Sequence, residues 1–355
     1  MKTNPISLPT LDQLLINGKP QFGVFRRVNH VNYLDYPSHR LSQKPLKQWQ
    51  KWLATNQFCF IRISQPPYQI CVAIATIKLA TTCFCYIYDE NTQSIVIDEQ
   101  LAPFTLNTKL NQSPYTGKMA FVNKKSQVSI EFFEHHFDIS IHNKLVQLQA
   151  TAQRYAEPLA VCSPAGRHGW VFTQKEVANQ LTGQWQINNN ASLSRDFSTN
   201  ALLSLDWTIG YMRRVTTWFW VSIHGFLHDG RQFSLNLATG VNESGTSENA
   251  CWIDGKIAYL PAVIFERERQ ASMQPSMQSA MQAWRIYHQN LGWSDVDINL
   301  TFTPIHCYQK NDRFVVIDSI FEQWVGHYRG EIRLGEEVIQ IDNLLGLAED
   351  HYAKW

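Results

Sequence analysis

The sequence predicts an all-β protein of two domains, each built from short antiparallel strands. Apolar residues recur at every second position through most of the chain, which is the period of a strand with one buried face. The strands this marks are short and evenly spaced, as in barrels and sandwiches rather than βαβ units. The 355 residues, 44% apolar and 17% charged, exceed what one core usually serves. This composition excludes a disordered chain.

The elements follow in order. Residues 45–54 (PLKQWQKWLA) read as a helix, with Pro45 in the first turn and Leu46, Trp49 and Leu53 at helical spacing. A strand is expected at 58–64. Residues 70–88 (ICVAIATIKLATTCFCYIY) carry one charge in nineteen positions. Lys78 near their middle would cost roughly 2.5–3.5 kcal/mol in a bilayer. The β-branched content, broken at Thr81-Thr82, predicts two core strands joined by a turn. Strands at 94–98 and 119–123 lead to a meander at 128–132, 137–141 and 146–150, where Val, Ile, Phe and Leu alternate with polar residues. A strand at 169–173 precedes a polar stretch at 179–200, which sets domains of 1–185 and 186–355. The second half offers strands at 215–224, 232–238, 262–266, 296–302, 313–318, 328–334 and 338–342. Residues 270–282 repeat Met at 273, 277 and 281 and read as a surface insertion or short helix packed by that stripe.

Charge and cysteines narrow the class. Lys and Arg number 31 against 30 Asp and Glu, a net charge of +1, so no global field recruits nucleic acid. Seven cysteines make an odd count with no disulfide framework. Cys83 and Cys85 share one strand face and read as small core residues rather than half a metal site. Residues 1–20 lack the apolar stretch of a secretory signal, so a cytoplasmic location is expected. No GxGxxG, Walker, GxSxG or HExxH motif occurs, and neither a cofactor nor a metal is expected.

The densest chemistry lies at 205–224 (LDWTIGYMRRVTTWFWVSIH). In a strand, Thr216, Trp218, Trp220, Ser222 and His224 share one face, and Val215, Thr217, Phe219, Val221 and Ile223 the other. The first face mixes two indoles with a hydroxyl and an imidazole, which suits the wall of an amphipathic pocket or a filled interior. Upstream, Asp206 reads either as an ion-pair partner of Arg213 or Arg214, or as a desolvated general acid. A nearby guanidinium opposes the second reading. Glu248 and Asn249 flank Cys251-Trp252, and Asp254-Gly255 marks a hairpin turn.

Several runs resemble the bacterial domain-of-unknown-function family 2804. They are LDWTIGYMRRVTTWFWVSIHG, SLNLATGVNESGTSENACWIDGKIAYL, FEQWVGHYRGEI and the terminal GLAEDHYAKW, with GVFRRVN and LKQWQKW near the start. By motif position the matching residues are Asp206, Gly210, Arg214, Trp218, Trp220, Glu248, Asn249, Gly255, Gly326 and Glu349. The family brings no settled activity. More distantly the chain is similar to proteins of two lipocalin-like β-barrels, among them carotenoid 1,2-hydratases, AttH-like proteins and some fungal Diels–Alderases. The resemblance implies two lipocalin-like (calycin-type) antiparallel barrels in tandem with few short helices; fold alone transfers no reaction.

Two functions follow as expectations. One is binding of a hydrophobic small molecule, lipid or isoprenoid-like, in a Trp-lined pocket with Arg214, Trp218, Trp220, His224 and Asn249 as contacts. The other is a cofactor-independent hydratase, isomerase or cyclase in which Asp206 or Glu248 donates a proton and the indole faces stabilise a cation.

Overall fold

The computed structural model describes residues 8–37, 44–188, 194–241, 246–267, 281–290, 292, 294–313 and 318–354. The chain divides into two compact units, one reaching Arg213 and one starting at Arg214. The polar stretch at 179–200 lies, where described, inside the first. Leu181–Ile187 pairs with Val146–Gln153, and Leu202–Tyr211 pairs with both Gly169–Ala178 and Asn56–Gln65. Composition marks a polar crossing; strand pairing decides which sheet the chain returns to.

The first unit faces an eight-stranded sheet against a seven-stranded one. The expected meander sits in the second sheet as Gln127–Phe132, His136–His142 and Val146–Gln153, with Ile130 opposite Ile139 and Ile139 opposite Ala150. One face of each sheet feeds a common core: Ile61, Val72 and Trp207 from the larger, Ile130, Ile139 and Leu148 from the smaller. Fully buried Trp170, Trp207, Phe121, Phe132 and Phe137 fill this interior, at roughly 1.5–3 kcal/mol of burial for each large apolar side chain. Cys83 and Cys85 belong to the same core as free thiols. The 70–88 run forms the hairpin Tyr68–Thr76 and Ala80–Asp89. Its turn falls at Lys78, whose φ of 65° is left-handed, and not at Thr81-Thr82. The helix is shorter than expected, Gln48–Leu53, and begins where the Gln50 side chain accepts the Lys47 N–H. Trp52 packs toward the core, whereas Trp49 faces solvent.

The second unit is one nine-stranded antiparallel sheet. It curls on itself, because Phe265 on the terminal strand Ile264–Arg267 stacks on Phe219 of the interior strand Val215–Phe226 (5.4 Å, 13°). From that terminal strand Arg267 reaches Glu322 at 2.7 Å and Asp350 at 2.9 Å. The interior is Trp284, Phe302, Trp324, Tyr328 and their aliphatic neighbours. Three long strands, Val296–Arg313, Asp318–Leu334 and Glu337–Lys354, make the wall. Two of them absorb a feature that reads as a stop. Asn343 bulges out with φ 58°, so the last strand runs past Asp342-Asn343, where a terminus was expected. A second bulge at Ile305 carries another strand past Pro304. The expected strand at 313–318 straddles 314–317, outside the described residues. Asp254 and Gly255 take φ of 48° and 79°, which makes the expected two-residue hairpin. Met273 and Met277 also lie outside the described residues. The architecture is all-β, with lipocalin-like sheets.

Candidate functional site

Strand Val215–Phe226 separates its faces as its alternation requires. Phe219, Val221 and Ile223 enter the core of the second unit. Trp218, Trp220, Ser222 and His224 stand on the opposite face. Register supplies their neighbours: Trp218 lies opposite His351, Trp220 opposite Glu349 and Ala238, Ser222 opposite Asn236, and His224 opposite Ser234.

The two indoles are anchored. Trp218 Nε1 donates to Glu349 Oε2 at 3.1 Å and Trp220 Nε1 donates to Asn236 Oδ1 at 2.8 Å. Gln323 Nε2 donates to the other oxygen of Glu349 at 2.5 Å. An indole donates only through its N–H, so these bonds fix each ring and leave its π face for packing. His351 lies between Trp218 and Phe321, with centroids 4.0 and 4.9 Å away. Its Nε2 shares a hydrogen bond of 3.0 Å with Ser319 Oγ, the direction set by the tautomer. Burial pushes its pKa from 6.5 down to about 3, so the imidazole is neutral near pH 7. Trp218, Trp220, Glu349, His351, Gln323 and Asn236 therefore make one aromatic and polar cluster on a single sheet face.

Other expected residues take different places. Asn236 Nδ2 donates to the Glu248 carbonyl at 2.6 Å, which ties the Glu248 backbone to the cluster. Asn249 accepts from Ala238 N and donates to the Pro261 carbonyl, both at 2.8 Å, so its amide clamps two segments of chain. His224 is buried with Nε2 3.3 Å from Gln232 Nε2, six residues and roughly 20 Å along the strand from Trp218. Arg214 is exposed where the second unit begins. Asp206 belongs to the first unit, and its ionic partner is Lys175 on the adjacent strand rather than Arg213 or Arg214. Thr208 Oγ1 and Thr173 Oγ1 also donate to it, at 3.1 and 3.3 Å. Among the described residues no group of three His, Cys, Asp or Glu is placed to hold a metal ion.

Asn236, Gln323 and His351 lie in runs that resemble the family, but no spacing there marks them as site residues, and Ser319 lies outside those runs. The signal present was alternation in the terminal AEDHYAKW, which puts Glu349 and His351 on one face once that stretch is a strand.

The fold has solved counterparts. The crystal structure of CghA with Sch210972 is similar to this chain at TM-score 0.55 and 11% identity, covering 98% of both chains. Kievitone hydratase from Nectria haematococca is similar at TM-score 0.50 and 12% identity, covering 84% of this chain and 89% of its own. At such identities the likeness is one of fold. No protein of curated function matches the sequence. The model of one family matches residues 23–355, and the chain belongs to that family, the domain of unknown function DUF2804.

Proposed function

We propose that the protein binds a hydrophobic small molecule, lipid or isoprenoid-like, against the Trp218–Trp220 face of its second unit. The observation that carries this is the anchoring of both indoles by Glu349 and Asn236, which holds two large apolar surfaces in a polar frame. Such a frame orients a ligand while the rings supply contact area. The neutral His351 beside Trp218 adds a polar atom without a fixed charge. The crystal structure of CghA is one with Sch210972, which is consistent with this reading but transfers no ligand.

A second reading, a cofactor-independent hydratase, isomerase or cyclase, draws on Glu349. Its carboxyl accepts from Trp218 Nε1 at the edge of that ring, so a proton delivered from it to an alkene would leave the cation near the indole. Asp206 belongs to the first unit, where its carboxyl pairs with Lys175. Glu248 meets this face through its backbone carbonyl, which accepts from Asn236.

Native mass spectrometry of the purified chain, with solvent extraction, tests both. A lipophilic adduct in the wild type, weakened about tenfold or more in Trp218→Ala, supports binding. Turnover of the extracted compound, abolished in Glu349→Gln with the adduct retained, supports the enzyme. An adduct unchanged in Trp218→Ala removes this face from both readings.

A further inference from the structure

The first unit carries a feature unrelated to that face. Three turns, at 76–81, 103–109 and 122–127, come together at one end of the unit. The Phe104 N–H donates to the Leu79 carbonyl and the Val122 N–H to the Asn107 carbonyl, each at 2.8 Å. Thr81 Oγ1 donates to the Phe104 carbonyl at 2.8 Å. The three tips are therefore one surface.

Its side chains are unusual for a turn surface. Leu79, Phe104, Leu106 and Val122 are 48% to 58% exposed, although large apolar groups at turn tips gain nothing from water. Phe104 is held at φ 54°, a left-handed conformation that bulky residues rarely adopt. The fold thus keeps an aromatic ring outside at a conformational cost, a pattern associated with function. Lys109, Lys124 and Lys125 are exposed in the same turns. None of the three segments contains Asp or Glu, although the whole chain is nearly neutral at +1. Asn123 Oδ1 accepts from Lys125 N and Ser126 N at 2.8 Å each, which fixes the backbone beneath two of the lysines.

We propose that these three turn tips dock the protein on an anionic lipid bilayer, with Leu79, Phe104, Leu106 and Val122 entering the interface and Lys109, Lys124 and Lys125 meeting the headgroups. A projecting apolar tip bordered by one sign of charge fits a soft anionic surface. A protein partner of ordinary composition would present both signs at the rim. No helix among the described residues is long and apolar enough to cross a membrane.

Cosedimentation of the full chain with phosphatidylcholine–phosphatidylglycerol vesicles, and with phosphatidylcholine alone, tests the assignment. The wild type is expected to bind the mixed vesicles more tightly and to weaken as salt rises. Phe104→Ser with Leu106→Ser should lose about tenfold per side chain. Lys124→Gln with Lys125→Gln should lose about fivefold per lysine on the mixed vesicles only. The lysines lie in an exposed turn held by Asn123, so this pair keeps the test decisive if the apolar pair fails to fold. Absence of binding to either vesicle, or binding unchanged in both pairs, overturns the proposal. So does a wild-type dimer that dissociates in Phe104→Ser with Leu106→Ser, which would make the patch a contact between copies.

Discussion

Trp218 and His351 face each other on adjacent antiparallel strands with ring centroids 4.0 Å apart and planes inclined at 49°. The contact joins a residue legible as a site candidate to one that sequence spacing left unmarked. It also explains the imidazole: enclosed by Trp218 and Phe321, it has lost the water that would stabilise its charge.

That loss sets a pH dependence. The native pKa of His351 is about 3, below the 6.5 of an unfolded histidine. Between these values the unfolded chain takes up a proton that the fold refuses. The contribution is therefore fully present above pH 6.5 and is lost as pH falls toward 3. His351→Gln should flatten the melting temperature over this window and leave it little changed at pH 8. A wild-type profile retained by the variant would assign acid sensitivity to other groups.

Asp206 and Lys175 form a buried pair, and removing one charge strands the other. Asp206→Asn is expected to cost about 3–5 kcal/mol in urea unfolding, with much of it recovered when Lys175→Met is added. An Asp206→Asn protein of unchanged stability but altered chemistry would assign this carboxylate a catalytic role.

Arg267 closes the curl of the second unit by joining its terminal strand to Glu322 and Asp350. Its guanidinium also lies 5.0 Å from the ring centroids of Trp284 and Trp324. Arg267→Met should lower stability by about 3 kcal/mol and change the near-ultraviolet signal of the indoles. A cycle with Asp350→Asn should show coupling above about 0.5 kcal/mol. Additive effects would mean that the sheet curls without this clasp.

Lys78 is buried at the 77–79 turn, and its Nζ has no hydrogen-bond partner among the described residues. Trp52 lies 5.9 Å from it. Desolvation lowers its pKa from 10.5 to about 7. From pH 7 to 10.5 the unfolded lysine holds a proton that the native one has released, so the burial cost shrinks as pH rises. Lys78→Met should stabilise the protein by about 1–3 kcal/mol near pH 7 and progressively less toward pH 10.5. A gain that does not vary with pH would trace to packing rather than charge.

The strands of the meander and the inward face of Val215–Phe226 were legible because a one-residue slip would put their apolar side chains in water. The last strand was half legible. Val338 to Asp342 reads as a strand, but Asp342-Asn343 reads as its end, and only the bulge at Asn343 lets pairing continue to Lys354. His351 was hidden by that single residue, and Glu349 was marked only by its place in the terminal run that resembles the family. The partner of Asp206 was hidden for another reason: Lys175 is 31 positions away and becomes its neighbour only through strand register.

The sequence by itself determined the all-β class and the faces of the regularly alternating strands, because burial in a sheet follows a period of two whatever the sheet's partner. Tertiary structure decided which strand lies beside which, and therefore which polar groups meet. Hydrogen bonds such as Trp218 to Glu349 and ion pairs such as Asp206 to Lys175 depend on a few ångströms of register between distant segments, which no local pattern encodes.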